Sequence, residues 1–303
     1  MDTHKRFKEY QGDKCWQAYV SEANRSEDLK AAKLTEETAA TLRISDFEFA
    51  YVAKDQKDLC KEIREFIERH EWLAKLPNRP THRFTARLKD GTLAGTIIMA
   101  TPNAFSNLLG KENTNKEKLI SRGACISWGP KNLGSWLIMS SIKWMVKNTD
   151  FRYFTAYSDP EAKELGTIYQ ACNFHYLGQT SGTSFQYLDP KHPEKGWFSD
   201  REFRKKSKYY KYAAALDISK ETWKSWMKKY SPDWTLVPPN IKVQIKAEEK
   251  KYREGCTKRA VLAKHKYCYI LGRGKKDTKS LLRKFAENSP NRQSLSYPRE
   301  RGK

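Results

Sequence analysis

The chain is 303 residues long, enough to bury a sizeable core in one large domain or two small ones, and its formal net charge is +22. The charge is uneven: residues 190–303 hold 31 Lys plus Arg against 12 Asp plus Glu, a net of +19, which points to a polyanion or else to a surface that only aids solubility. No basic amphipathic helix with a wide apolar face stands out, so nucleic acid is favoured over membrane. The longest apolar helix carries Lys143, and MDTHKRFKEY is no signal peptide, so neither a span nor secretion is expected.

Residues 1–45 are polar and charged, with a short helix at Glu36–Leu42. Phe47–Val52 reads as a first strand. Asp55–Leu73 reads as an amphipathic helix, because Leu59, Ile63, Phe66 and Ile67 recur at helical spacing. His82–Leu88 and Leu93–Ala100 are strands joined through Asp90-Gly91, a hairpin signal. Thr101–Lys118 reads as a loop. Ala124–Trp128 is a short apolar strand. A helix follows in which Leu133, Leu137, Ser140 and Trp144 share one face, and Ile138, Ile142 and Met145 the next. Tyr153–Tyr157 is an aromatic strand, and Leu165, Ile168, Tyr169 and Cys172 line a second helix. Strand–helix–strand–helix at this spacing predicts parallel strands with a right-handed crossover.

Beyond Asp189, 192–196 is a linker. Arg201–Tyr212 mixes basic residues with tyrosines, and Arg204, Lys205, Lys206 and Lys208 are the candidate phosphate contacts. In Lys220–Tyr230, Trp223, Trp226 and Met227 share a face and read as core. Val243–Tyr252 suggests a helix and Lys264–Leu271 a strand. By composition 289–303 is a disordered tail. The six cysteines show no Cys-x-x-Cys spacing and read as thiols of a reducing compartment, the cytoplasm. His265 and Cys268 alone make a weak zinc signal, and convergence of His82, His175 and Asp159 on a metal is not decidable from spacing. No metal site is assigned.

The junction Gly129-Pro130-Lys131-Asn132-Leu133-Gly134-Ser135 has the chemistry of a pyrophosphate cradle. A helix N-terminus leaves N–H groups unpaired, Gly134 permits close approach, and Lys131 adds a cation. The plain alternative is a tight turn capped by Asn132 or Ser135. Tyr169, neutral at pH 7, can give a proton, or else packs in a core. Asp159 follows a parallel strand, where ligands meet open sheets, and either accepts a proton or caps the next helix. Arg122 pairs with phosphate, holds Asp159, or merely ends a strand at the surface. Asn173 suits a left-handed helix end.

These segments resemble the GNAT acyltransferase superfamily. GPKNLGS sits where that fold cradles the coenzyme A pyrophosphate, though it lacks the usual Gln/Arg-x-x-Gly-x-Gly/Ala pattern. IYQACNF resembles the L-Y-x-x-x-G-F helix end, with Asn173 for glycine. SRGACISWGPKNLGSW and FTAYSDPEAKELGTIYQACNFHYLG are similar to the phage Mom family of DNA adenine modification proteins over about 121–181. KHKYCYILG and YPR resemble C-terminal segments of the same family more weakly.

The resemblance implies an α/β, GNAT-like mixed central sheet flanked by helices. It divides the chain into a polar segment 1–45, a catalytic domain 46–189 and a basic extension 190–303 for nucleic acid. It implies acetyl-CoA or a related acyl-CoA held by Gly129, Lys131, Asn132, Leu133, Gly134 and Ser135, and catalysis by Tyr169, Asp159 and Arg122. The implied reaction converts adenine N6 in DNA to an acetamido (methylcarbamoyl) derivative that protects phage DNA from restriction in the host cytoplasm. The alternatives are an N-acetyltransferase acting on protein or RNA amines and a non-enzymatic nucleic-acid binder. Donor, metal requirement, target context and oligomeric state stay open.

Overall fold

The computed structural model describes residues 12–181, 184–229, 231–290 and 295–300. Among the described residues, contacts divide the chain into two units, 12–181 with 263–290 and 295–300, and 184–229 with 231–262. The first unit opens with α1 (Trp16–Ala31) and α2 (Glu36–Thr41), the latter capped by Thr35, whose side chain accepts from Thr38 N–H. Then come β1 (Phe47–Val52), α3 (Lys57–His70), β2 (Pro80–Leu88), β3 (Leu93–Ala100) and β4 (Glu117–Cys125). After β4 come α4 (Leu133–Asn148), β5 (Tyr153–Ser158), α5 (Thr167–Ala171) and β6 (His175–Gln179). β1 to β4 form an antiparallel meander. Gly91 turns the β2–β3 hairpin at φ +94°, where a side chain would be strained.

The chain then builds the second unit. A small sheet of β7 (Ser184–Leu188), β8 (Phe198–Ser199) and β9 (Thr257–Val261) accompanies α6 (Lys206–Ala214), α7 (Lys220–Ser225) and α8 (Pro239–Glu254). Trp223, fully buried, packs with Tyr209, Tyr212, Val237 and Ile245, and Trp226 and Met227 join them as the sequence predicts.

β10 (His265–Ile270) and α9 (Lys275–Asn288) belong to the first unit again. β10 slots between β5 and β6, antiparallel to both, and completes the order β1-β2-β3-β4-β5-β10-β6. The architecture is the expected mixed α/β sheet with helices on both faces. α3 packs Ile63, Phe66 and Ile67 on one face, while α4 lays Leu137, Ile138, Ile142 and Met145 on the other, each contributing about 1.5–3 kcal/mol by burial. α9 seals the far side with Leu281 and Phe285 against Tyr153, Leu177, Cys268 and Ile270.

Three expectations are corrected. The boundary at 190 fails, because 263–303 supplies an interior strand of the same sheet as 46–181. The fourth strand is not 124–128 but Glu117–Cys125, so the polar stretch 101–118 contains its start: Glu117 and Lys118 are buried there. Glu117 is hydrogen-bonded by Ser106 and Thr155, which hides a strand start behind charged residues. The composition of 289–303 does not make all of it disordered: Tyr297 donates to Phe174 O at 2.6 Å and stacks near Tyr267. The rest of that tail lies partly outside the described residues.

Candidate active site

β4 and β5 run parallel but pair only from Glu117↔Tyr153 to Leu119↔Thr155. Past that point β4 bonds only to β3 and β5 only to β10, so the sheet parts between residues 120–125 and 156–158. Backbone groups lining such a parting are open to an extended ligand.

At the end of β4 the chain turns through Ile126–Asn132 into α4. Trp128 anchors the turn: it is buried, and its Nε1–H donates to Asp28 O at 3.2 Å. Leu133 N–H bonds Pro130 O, and Trp136 N–H bonds Asn132 O. The N–H groups of Gly134 and Ser135 meet no acceptor among the described residues. Asn132 makes no side-chain cap, and Ser135 Oγ donates to Asn132 O, so the capping alternative is not what the turn adopts. Lys131 and Asn132 are exposed, whereas Leu133 is buried core. A Cβ at Gly134 would stand 2.8 Å from the Ile168 side chain, so this glycine is required by contact between α4 and α5.

That contact sets Tyr169 beside the turn. Its ring packs 5.3 Å from Phe174 and 5.4 Å from Tyr267. Its hydroxyl makes no hydrogen bond among the described residues. Burial, with the negative charges of Glu164 and Glu71, pushes its pKa up and keeps the phenol protonated. Two features fix α5 here. Gly166 precedes it at φ +70°, where a Cβ would lie 2.5 Å from the Tyr267 ring, and Asn173 closes it at φ +58°, as its residue type suggests. Tyr267 also donates to Leu165 O.

Arg122, on β4 beyond the parting, donates to Lys75 O at 2.8 Å and Ser121 O at 2.6 Å. It stands 3.9 Å from Glu71 Oε1 and is not the partner of Asp159. Asp159 instead takes the bland alternative: Oδ1 accepts from Glu161 N–H at 3.1 Å, and Oδ2 pairs with Lys264 at 2.6 Å. With both oxygens engaged it is a poor proton acceptor.

The carboxylates that sequence reasoning missed are Glu71 and Glu164. Burial pushes both up to about 7, and the charge of Glu71 adds to the shift of Glu164. Glu164 Oε2 accepts from Asp159 N–H at 3.1 Å, and Trp72 also bonds its carboxyl group. No spacing announces this pair: Glu71 ends α3 and Glu164 follows β5. Only the charged residue at the end of an otherwise apolar-faced helix hinted at it.

Of the basic run, Arg204 pairs with Asp200, Lys205 with Glu202, and Lys208 donates to Tyr252, whose ring it covers at 4.0 Å. Lys206 is exposed and meets no carboxylate among the described residues. Elsewhere, His265 bonds Tyr176 at 2.8 Å, His175 packs on Phe285, and His82 lies among Tyr51, Trp144 and Phe151. No group of three His, Cys, Asp or Glu side chains gathers for a metal among the described residues. All six cysteines are free thiols, and no helix of the described residues is long and apolar enough to cross a membrane.

No curated protein matches this sequence. Among solved structures, the chain is similar to an aminoglycoside acetyltransferase in complex with coenzyme A and kanamycin, with 16% identity over 44% of this chain and 87% of that one, TM-score 0.33. It is similar to the spermidine N-acetyltransferase of Vibrio cholerae in complex with CoA and spermine, at 11% identity over 45% and 84%, TM-score 0.31. A ribosomal-protein-S5-alanine acetyltransferase of Vibrio fischeri is similar at 13% identity over 55% and 79%, TM-score 0.28. The sequence model of the Mom protein family matches residues 56–231, which run from the start of α3 through the parted strands and the Tyr169 helix into the second unit. The chain belongs to the Mom protein family.

Proposed function

We infer that this protein is a DNA-modifying transferase that uses an acyl-CoA-type donor and transfers its acyl group to adenine N6 in DNA, the N6–carbon bond forming as the carbon–sulfur bond breaks, a mark that would shield phage DNA from restriction. The observation that carries this reading is the juxtaposition, in a Mom-family chain, of a phosphate-type turn with the half-buried Tyr169 phenol beside the parting of β4 and β5.

The residues fit the donor. Two unpartnered N–H groups at Gly134 and Ser135, a glycine with no side chain in the way, the exposed Lys131 and the start of a 16-residue helix suit a pyrophosphate. Gly129 and Asn132 shape that turn; Leu133 contributes through the core rather than through a polar group. When bound, the donor supplies an activated acyl carbon and a sulfur leaving group. Tyr169 holds a proton at its hydroxyl for the departing sulfur. Arg122, close to Glu71, balances negative charge beside it. Glu71 and Glu164 are the carboxyl groups whose raised pKa suits exchange of a proton with the amine, since Asp159 is held by Lys264.

Adenine N6 is stacked inside a duplex, so the base must leave the helix at a cost of a few kcal/mol, which phosphate contacts offset. The basic surfaces supply them. On α9, Lys275, Lys276, Lys279 and Arg283 are exposed and meet no carboxylate among the described residues, whereas three of the four residues in 204–208 are already paired. Tyr169→Phe removes only the hydroxyl. It should leave folding intact and reduce modification about 10²–10⁴-fold. Measured by nucleoside mass analysis, full activity of the folded variant would leave the phenol with packing alone.

A further inference from the structure

Glu71 opens the irregular segment between α3 and β2. It is 7% exposed, and its two oxygens have unequal surroundings. Oε1 faces Arg122 at 3.9 Å. Oε2 is buried and meets no hydrogen-bond partner among the described residues. Such orphans are rare, because a buried polar atom left unpaired lowers stability, and each calls for a reason.

The groups that act on this carboxyl are Arg122 from β4, Glu164 from the segment after β5, Tyr169 from α5, and the N–H groups of Leu73 and Ala74 from its own loop, while Asp159 acts on Glu164. Arg122 and the two N–H groups favour the charged form; burial opposes it and prevails, which places the group at about 7. Arg122 is largely committed to Lys75 O and Ser121 O, so it neutralises Glu71 only from a distance. Burial therefore favours the neutral carboxyl form at Glu71 and at Glu164.

A protonated carboxyl presents an O–H donor beside a C=O acceptor. Adenine presents, on either edge, a ring nitrogen acceptor beside the N6–H donor. We propose that the Glu71 carboxyl group, in its neutral form, grips the extruded adenine by donating from Oε2 to a ring nitrogen and accepting from N6–H, so orienting the amine beside Tyr169 and Glu164. Glu71 precedes a stretch with no helix or strand, so swinging its side chain toward the parting breaks no ladder bonds. A carboxylate cannot donate, so the grip loosens as pH rises through the Glu71 transition near 7. This inference rests on the adenine reading above.

The test uses the full chain and a single-stranded oligothymidylate carrying one adenine, 1-deazaadenine or 7-deazaadenine, with binding read by fluorescence anisotropy. At about pH 6 adenine should bind roughly tenfold tighter than at least one deaza base, and the gap should close by about pH 8. Glu71→Gln keeps a donor and an acceptor without a charge. It should preserve the gap at both pH values, while Glu71→Ala should abolish it. Thermal unfolding of each unligated variant confirms the fold. Three results would overturn the proposal: no gap with either deaza base at acid pH, a wild-type gap indifferent to pH, or a Glu71→Gln gap that still closes on raising pH. Nucleoside analysis of DNA from cells making the wild type separates the two levels. Modified adenine with any of those results discards the Glu71 grip alone, whereas unmodified DNA discards the adenine reading with it.

Discussion

Glu71 and Glu164 illustrate what a site costs at the scale of single residues. A carboxyl whose folded-state pKa lies above its unfolded value binds its proton more tightly in the folded state. The resulting stability is present below about 4.5 and is lost as pH rises through about 7. Above that, two buried like charges oppose folding. Glu71→Gln should therefore match wild type in Tm at acid pH and exceed it at about pH 8, by on the order of 1–3 kcal/mol for so coupled a pair. Thermal unfolding at the two pH values checks this; a variant less stable than wild type at the higher pH would mean that Arg122 holds Glu71 charged. Tyr169, Arg122 and Gly134 could be singled out in the sequence because they stand in or beside short motifs. Glu71 and Glu164 could not, because they stand 93 positions apart and are ordinary surface-type residues that only the tertiary fold draws out of water. The pairing of Asp159 was hidden for the same reason: its partner Lys264 stands just before β10, far away in the sequence.

At the scale of elements, the position of α5 depends on one glycine. Gly166→Ala would force a left-handed residue, costing about 1–2 kcal/mol, and drive a Cβ into the Tyr267 ring. A loss of at least about 2 kcal/mol in chemical denaturation is expected; a loss below about 0.5 kcal/mol would show that Tyr267 yields freely. The cationic helix faces allow a comparison. Duplex affinity should fall with salt at about 0.9 log units per phosphate neutralised. Replacing Lys275, Lys279 and Arg283 by alanine should flatten that slope by about 2–3 units, and replacing Arg204, Lys205, Lys206 and Lys208 by at most about 1, because three of these are paired internally. The reverse ranking in an anisotropy salt series would restore the 204–208 run as the DNA path. Helical and hairpin periodicity exposed most of these elements in advance; the start of β4 escaped because Glu117 and Lys118 carry charge into the core.

For the whole molecule, the second unit departs and returns at neighbouring points. Thr180 N–H bonds Lys264 O at 2.8 Å, and Lys264 N–H bonds Thr180 Oγ1 at 3.1 Å. Excising 182–262 and joining the ends with a short glycine linker would make β6–β10 a hairpin, and the first unit should remain folded by circular dichroism. Truncation at 190 removes β10 from between β5 and β6 and should abolish folding. A folded truncation product would contradict the placement of β10 as an interior strand. Sequence pattern revealed a strand at 264–271 but not its sheet position, since antiparallel insertion between earlier strands leaves no local signature. The function rests on one chemical outcome. The measurement is nuclease digestion and nucleoside mass analysis of DNA from cells making the wild type and Tyr169→Phe proteins. A new deoxyadenosine derivative heavier by an acyl group, present with the wild type and strongly depleted with Tyr169→Phe, is the expected result; DNA with only ordinary nucleosides alongside abundant folded wild-type protein would contradict it.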